Sequence, residues 1–160
     1  MRQRWAALLA VAVFSATAPR GADAQSSSSS SDVVRDRVSG SELGQNAPNP
    51  FVTETRISFT VGDYPTCSDP NRVYRVTLRI FNILAQLVSV PVMQGGSGNV
   101  ADGTPLQNVE LTCGQYTAYW DGKNTKTSAD ASPGIYLYNL EVDKRRIARK
   151  MLKTKQQQQQ

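Results

Sequence analysis

The sequence predicts an all-β protein, folded as an antiparallel β-sandwich of about seven to eight short strands. Apolar and polar residues alternate with period two in several short segments, a pattern typical of strands that bury one face. Gly, Pro, Asn and Asp separate these segments, and no long apolar stripe with helical period follows residue 24. Because the segments occupy roughly 100 residues, their size and number favour an immunoglobulin-like (fibronectin type III-like) sandwich.

The N-terminal segment, residues 1–24, has the organisation of a secretory signal peptide. Arg2 and Arg4 supply positive charge, residues 5–18 are mostly small and aliphatic, and an Ala-Asp-Ala cleavage site follows. The apolar run is shorter than the ~20 residues that cross a bilayer as a helix, which favours a cleaved signal over a membrane anchor. We therefore expect Sec-dependent export and a mature chain that begins at Gln25.

Both ends of the mature chain are predicted to be solvated and flexible. Serine fills positions 26–31, and a polar sequence continues to residue 44. Such a composition buries too little apolar surface to offset the entropy of ordering the chain. We therefore assign residues 25–44 to a flexible linker, residues 45–155 to the folded domain, and residues 156–160, five glutamines, to a tail.

The alternation is clearest in residues 55–61 and 74–81, where every second residue is apolar. Since side chains of a strand point alternately to its two faces, one set is expected to face the core. That set is Ile57, Phe59, Val61, Tyr74, Val76, Leu78 and Ile80. Further strands are predicted at 87–92, 109–111, 115–120, 135–142 and 146–152.

Two motifs supply candidate core aromatics. In NAPNPF (46–51) the two prolines fix φ and remove backbone donors, which suits an edge segment that turns Phe51 into the core. In YWDGKN (119–124) the aromatic pair ends a strand, and Trp120 is expected to fill the sandwich core.

Two turns follow from the same motifs. Asp121 and Gly122 form a turn pair that tolerates positive φ. Gly134 follows a Ser-Pro pair and returns the chain into the strand of SPGIYLYNLEV (132–142), where Tyr136 and the tyrosine two residues later are expected to cover one sheet face. An exposed tyrosine pair that forms a binding patch is the alternative interpretation.

These motifs, taken in order, resemble those of the FlgD-like immunoglobulin-like domain, which is related to the C-terminal sorting domains of type IX secretion cargo. The resemblance covers residues 43–155 and rests on NAPNPF (46–51), an IFNILAQLV segment (80–88), WDG (120–122), GIYLY (134–138) and RKMLK (149–153). Ala85 and Ser128 stand where the family usually has glycine, and residues 92–111 form a longer stretch that is expected to add a hairpin. The resemblance implies an exported bacterial sandwich module, and it implies a possible sorting role.

The two cysteines, Cys67 and Cys113, are predicted to form a disulfide. Export places them in an oxidising compartment, where an even number of cysteines usually pairs. A bridge across this loop would stabilise the fold by ~4 kcal/mol in the chain-entropy model. Two buried thiols or a metal site are the alternatives, although two cysteines without histidine do not make a usual zinc site.

The inventory of residues argues against an enzyme and against cofactors. The chain contains no histidine, which removes Ser-His-Asp and Cys-His nucleophilic sites and most transition-metal centres. Asp102, Asp121 and Asp130 lie in predicted loops, but their spacing matches no EF-hand calcium loop. We interpret them as solvated turn residues and expect neither a catalytic site nor a bound cofactor or metal.

The formal net charge is +5, and much of the positive charge is concentrated near the C-terminus. Three interpretations are open: attraction to acidic surface polymers such as lipopolysaccharide, protection of an edge strand against aggregation, and recognition by a secretion apparatus. Nucleic acid is excluded as a partner by the predicted export. Replacing the three lysines at 150, 153 and 155 by glutamine is expected to leave stability almost unchanged. The basic residues are Lys144, Arg145, Arg146, Arg149, Lys150, Lys153 and Lys155.

The sequence therefore favours an exported, non-enzymatic module for interaction or structural attachment in the periplasm, at the cell surface or in the medium. A protein or another envelope component is the expected partner, and the oligomeric state is left open. The alternative is a sorting domain that an outer-membrane secretion machine reads through residues 134–155.

Overall fold

The structure is a computed structural model that describes residues 37, 38, 40–97 and 100–155. The predicted signal peptide, the serine run and the glutamine tail lie outside the described residues. The described residues form ten strands and no helix, and hence no helix that would span a membrane. The strands are β1 Arg37–Val38, β2 Ser41–Leu43, β3 Thr55–Val61, β4 Tyr74–Asn82, β5 Leu87–Ser89, β6 Val92–Gln94, β7 Val109–Leu111, β8 Gly114–Trp120, β9 Gly134–Val142 and β10 Arg145–Lys153.

These strands form two antiparallel sheets. The first sheet has the order β1-β2-β3-β8-β6, and the second has the order β10-β9-β4-β5, with β7 paired to the beginning of β4. The inner faces of both sheets contribute to one buried cluster, so the arrangement is that of a β-sandwich. The prediction of an all-β, sandwich-like fold is confirmed.

The core follows the period-two pattern of the sequence. In β3 the inward residues Ile57, Phe59 and Val61 are at most 1% exposed, as predicted. All four predicted apolar positions of β4 are also buried. Opposite them, β9 contributes Tyr138 and Leu140, each 0% exposed. Alternation alone therefore sufficed to orient the central strands of both sheets.

The folded domain begins before residue 45, so the predicted linker boundary is wrong. Ser41–Leu43 is a strand that pairs with β3, where Leu43 lies opposite Phe59. Leu43 is fully buried, and the Ser41 hydroxyl accepts a hydrogen bond from the Gly62 amide at 3.0 Å. A three-residue strand with one apolar side chain is too short for an alternation signal, which explains the error.

The single strand predicted at 87–92 is two strands in different sheets. Leu87–Ser89 pairs with β4 of the second sheet, whereas Val92–Gln94 pairs with β8 of the first sheet. The chain changes sheet at Pro91, which has no amide hydrogen to contribute to a ladder and which accepts a bond from Leu106 through its carbonyl. The following residues fold back on β6, since the Met93 amide donates a hydrogen bond of 2.8 Å to the Thr104 carbonyl.

Ala85 and Ser128, which stand where the family that the motifs resemble usually has glycine, both adopt left-handed backbone conformations. Ala85 has φ 58° and Ser128 has φ 56°. The β4–β5 turn forms despite Ala85, because the Asn82 carboxamide oxygen accepts hydrogen bonds from the amides of Leu84 at 3.0 Å and Gln86 at 2.9 Å. Side-chain bonding thus holds a turn that glycine would favour intrinsically.

Candidate interaction surfaces

The motifs identified in the sequence meet at one end of the sandwich. The rings of Phe51 and Tyr136 each lie 5.4 Å from that of Trp120, both in edge-on geometry. The Lys153 ammonium lies 5.2 Å from the centre of the Phe51 ring. Phe51, Trp120 and Tyr136 are at most 6% exposed, and burial raises the pKa of the Tyr136 hydroxyl. These motif residues therefore hold the fold together and present little surface to a partner.

The Asp-Gly turn closes the same end. The Asp121 carboxylate accepts a hydrogen bond from the Lys123 amide at 3.0 Å, and the Trp120 indole donates to the Lys123 carbonyl at 2.9 Å. Gly122 is buried with φ 72°, and a Cβ atom there would lie 2.2 Å from the carbonyl oxygen of Thr53. Only glycine fits both the backbone conformation and this contact.

Neither tyrosine of the predicted pair forms an exposed patch. Tyr138 is fully buried, and its hydroxyl donates to the Gly44 carbonyl at 2.9 Å and accepts from the Asn46 amide at 3.1 Å. Gly134 opens β9 opposite Lys153 of β10. The packing interpretation of this motif agrees with the burial.

Lys153 is not a solvated residue of the basic strand, and its burial argues against the expectation that its replacement leaves stability almost unchanged. Its side chain is inside the motif cluster, only 6% exposed, and the ammonium donates to the Val52 carbonyl. Lys153 lies on the same face of β10 as the buried Ile147 and Met151. The period-two rule applied to β10 would have predicted this inward position.

The remaining basic residues do not form one patch. Arg146 and Lys150 point to the outer face of the second sheet, where the Arg146 guanidinium lies 2.8 Å from Glu141. Arg149 points to the other face, half-buried, and its Nε donates to the Leu43 carbonyl at 2.6 Å. The exposed residues Lys144 and Arg145 stand at the β9–β10 turn, far along the strand from the exposed Lys155.

The NAPNPF segment covers part of the open edge of β10. The Leu152 amide donates to the Asn49 side chain at 2.9 Å, and the Leu152 carbonyl accepts from Phe51 at 3.0 Å. The Thr154 amide donates to the Phe51 carbonyl at 2.8 Å, and the Lys150 carbonyl accepts from the Gln45 side chain at 3.1 Å. The charged side chains are thus not the main protection of this part of β10 against aggregation with another strand, since its backbone groups already have hydrogen-bond partners.

The predicted disulfide between Cys67 and Cys113 is confirmed, with a Cα–Cα distance of 5.5 Å. It ties the loop after β3 to the junction of β7 and β8. The loop is also held by Asp63, whose carboxylate accepts hydrogen bonds from the Ser68 hydroxyl and the Ser68 amide. These two bonds, the hydroxyl first, lower the pKa of Asp63 below its ordinary value.

Sequence reasoning missed an exposed aliphatic surface on the outer side of the second sheet. Cross-strand pairing places Leu152 beside Ile135, and Lys150, Leu137, Phe81 and Leu87 in one row across four strands. We call this surface, with the Ile83–Leu84 turn, the outer apolar face; its exposures are Ile83 73%, Leu84 73%, Ile135 52%, Leu137 42%, Leu152 39% and Leu87 38%.

A signal for this surface was present in the sequence. Residues 135–138 are apolar at every position, which in an antiparallel strand indicates that both faces are to be covered. The inner face of that segment packs against the core through its tyrosines, whereas nothing in the described chain covers the outer one. An exposed aliphatic surface of this kind is a candidate interaction site.

The described residues contain no cluster of three or more His, Cys, Asp or Glu side chains placed to hold a metal ion. Asp102 and Asp121 each accept a bond from a nearby backbone amide, that of Gly95 at 2.7 Å in the first case. Comparisons of the chain with protein families, curated proteins and solved structures find no match. The family resemblance therefore rests on the motifs alone.

Proposed function

We propose that this protein is an exported, non-enzymatic module with an immunoglobulin-like sandwich, which acts by binding a component of the cell envelope or its surroundings. The observation that carries the proposal is the outer apolar face. Single exposed aliphatic residues are normal on protein surfaces, whereas four on one face of a sheet with two more at an adjoining turn favour association.

The motif geometry supports the proposed relationship to FlgD-like immunoglobulin-like domains. NAPNPF, WDG, GIYLY and RKMLK are far apart in sequence, yet Phe51, Trp120, Tyr136 and Lys153 are joined by direct contacts. Motifs that contact one another in the core are the ones that proteins sharing a fold would be expected to have in common.

A non-enzymatic role is supported by the residue inventory. The chain has no histidine to act as a general base, and both cysteines are joined in the disulfide. The motif residues Phe51, Trp120, Tyr136 and Asp121 are engaged in packing and turns.

A sorting role is the second candidate, and one observation favours it. Residues 134–153 form a single β-hairpin at the edge of the second sheet, so one short segment carries four exposed basic side chains, Lys144, Arg145, Arg146 and Lys150. A receptor that added a strand to β10 would first have to displace Asn49 and Phe51 from Leu152. A receptor that read the Lys144–Arg145 turn would meet no such obstacle.

The test is the intact and non-reduced peptide mass of the native protein, recovered separately from periplasm, envelope and medium. A chain that begins at Gln25, retains the β9–β10 hairpin, contains the disulfide and remains with the envelope is the expected result. Loss of the hairpin from the exported product would instead establish the sorting role. An attached signal segment together with free thiols would contradict export altogether.

A further inference from the structure

We propose that the outer apolar face, led by the Ile83–Leu84 turn, seats the protein on an anionic lipid surface. This inference rests on the proposed function, because an exported envelope module is the kind of protein that meets such a surface. It deepens that function by naming the chemistry of the partner, aliphatic chains below acidic head groups.

The first step is the shape of the turn. Ile83 and Leu84 are consecutive residues at the tip between β4 and β5, and each side chain is 73% exposed. A fluid lipid interface accepts such a projecting pair without a preformed pocket, whereas a folded partner needs a matching cavity. The shape therefore favours lipid over a protein partner.

The second step concerns the backbone polar groups at the tip. Transfer of an unpaired amide out of water is unfavourable, so an inserting turn must satisfy its own donors. Here the amides of Leu84 and Gln86 donate to the Asn82 side chain, and the Ala85 amide donates to the Asn82 carbonyl at 3.0 Å. The turn is thus able to leave water with these donors already paired.

The third step is the charge around the aliphatic side chains. Lys150 pairs with Leu137 in the sheet, and Lys126 belongs to the loop whose Thr127 lines a cleft with Ile83. On the sheet itself, Glu141 lies between Arg79 at 3.7 Å and Arg146 at 2.8 Å. The cleft also contains Asp130, so two lysines and one carboxylate accompany the aliphatic residues at this end of the sheet.

This charge distribution selects the occupant. A second copy stacked on the face would bring the basic side chains of both copies together, and the repulsion between them opposes association. A lipid surface with acidic head groups would attract them, which strengthens binding about five-fold for each lysine or arginine at the surface. Aliphatic insertion and head-group attraction therefore act together on this side of the protein.

The experiment measures sedimentation of the disulfide-bonded chain 25–160 with large vesicles of phosphatidylglycerol and phosphatidylcholine, and with phosphatidylcholine alone. We expect binding to the anionic vesicles at low salt, and an Ile83→Ser, Leu84→Ser double variant should bind about 100-fold more weakly. Lys150→Gln should lose about five-fold at low salt.

Matched controls lie at the opposite end of the same strands. Val73, 52% exposed, immediately precedes β4, and Lys144 occupies the far turn of the β9–β10 hairpin. Val73→Ser and Lys144→Gln should therefore bind like the unmodified chain. Leu137→Ser provides a second variant of the face, in case the double variant does not fold.

Three results would overturn the inference: no binding to anionic vesicles, equal binding to neutral vesicles, or binding that the double variant retains. Self-association that the double variant abolishes would assign the face to a second copy and would also overturn it. If vesicle binding fails while the native protein is still found exported and retained on the envelope, only the lipid inference fails. Absence from the exported fractions would instead remove the proposed function.

Discussion

The ammonium of Lys153 donates a hydrogen bond to the backbone carbonyl of Val52, and so fastens the last described strand to the segment that leads into β3. The same ammonium lies over the ring of Phe51. A charged group with so little exposure is stabilised only while both contacts remain.

Replacing Lys153 by Met should destabilise the fold by about 2–3 kcal/mol, because the change keeps the aliphatic stem but removes a charged hydrogen bond and a desolvated cation–π contact. Urea unfolding monitored by Trp120 fluorescence measures the loss. Lys150→Gln and Lys155→Gln serve as controls and should change stability by no more than about 0.5 kcal/mol, since both side chains are exposed. Equal effects at all three positions would contradict this role of Lys153.

Gly122→Ala should destabilise the protein by more than the about 1–2 kcal/mol that a left-handed backbone costs a residue with Cβ. The excess arises because the new Cβ would meet the Thr53 carbonyl oxygen at 2.2 Å. Gly103 is the matched control, with φ 78° and no atom within 4 Å of an added Cβ. Thermal unfolding of both variants separates backbone strain from contact, and a Gly103→Ala loss as large as that of Gly122→Ala would remove the contact from the explanation.

Ala85→Gly should stabilise the protein by about 0.5 kcal/mol. Relief of the left-handed conformation gains about 1–2 kcal/mol, and the greater freedom of glycine in the unfolded chain offsets part of that gain. Ala101→Gly, in an exposed loop without positive φ, should be destabilising by a similar amount. Chemical denaturation checks the opposite signs, and a destabilised Ala85→Gly protein would show that the turn does not strain Ala85.

Asp63 should make stability depend on pH at the acidic end. Its pKa is lower in the folded state than the ordinary 3.8, so its stabilising contribution is complete above 3.8 and disappears as the pH falls through the folded value. Asp63→Asn lacks the charge at all pH values. The difference in unfolding midpoint between the two proteins should therefore be largest near neutral pH and vanish on strong acidification. A difference that persists in acid would exclude this carboxylate as the cause.

The strands that carry the core could be predicted from sequence because burial on one face leaves a period-two pattern, as in Ile57, Phe59 and Val61. The pairing of Cys67 with Cys113 needed only two cysteines and an oxidising compartment. By contrast, Leu43 stands alone in a strand too short to show a period, and the change of sheet at Pro91 depends on tertiary packing.

The candidate surfaces were harder to predict, for a physical reason. Lysine and arginine are treated as solvated in a sequence, but a long side chain can bury its stem and place its charge on a backbone carbonyl, as Lys153 and Arg149 do. The outer apolar face arises from pairing between strands that are distant in sequence, so Leu87, Leu137 and Leu152 become neighbours only in the fold.

The covering of β10 by the NAPNPF segment also limits how the protein can be shortened. The bonds that Leu152 and Thr154 make to Asn49 and Phe51 join regions about a hundred residues apart. The N-terminal and C-terminal segments of the domain therefore stabilise each other. A protease that removed the stretch from residue 145 onward would remove Ile147 and Met151 from the core. It would also remove the contact of Lys153 with the Phe51 ring. Such a cut would not yield a smaller intact domain; it would open the whole molecule.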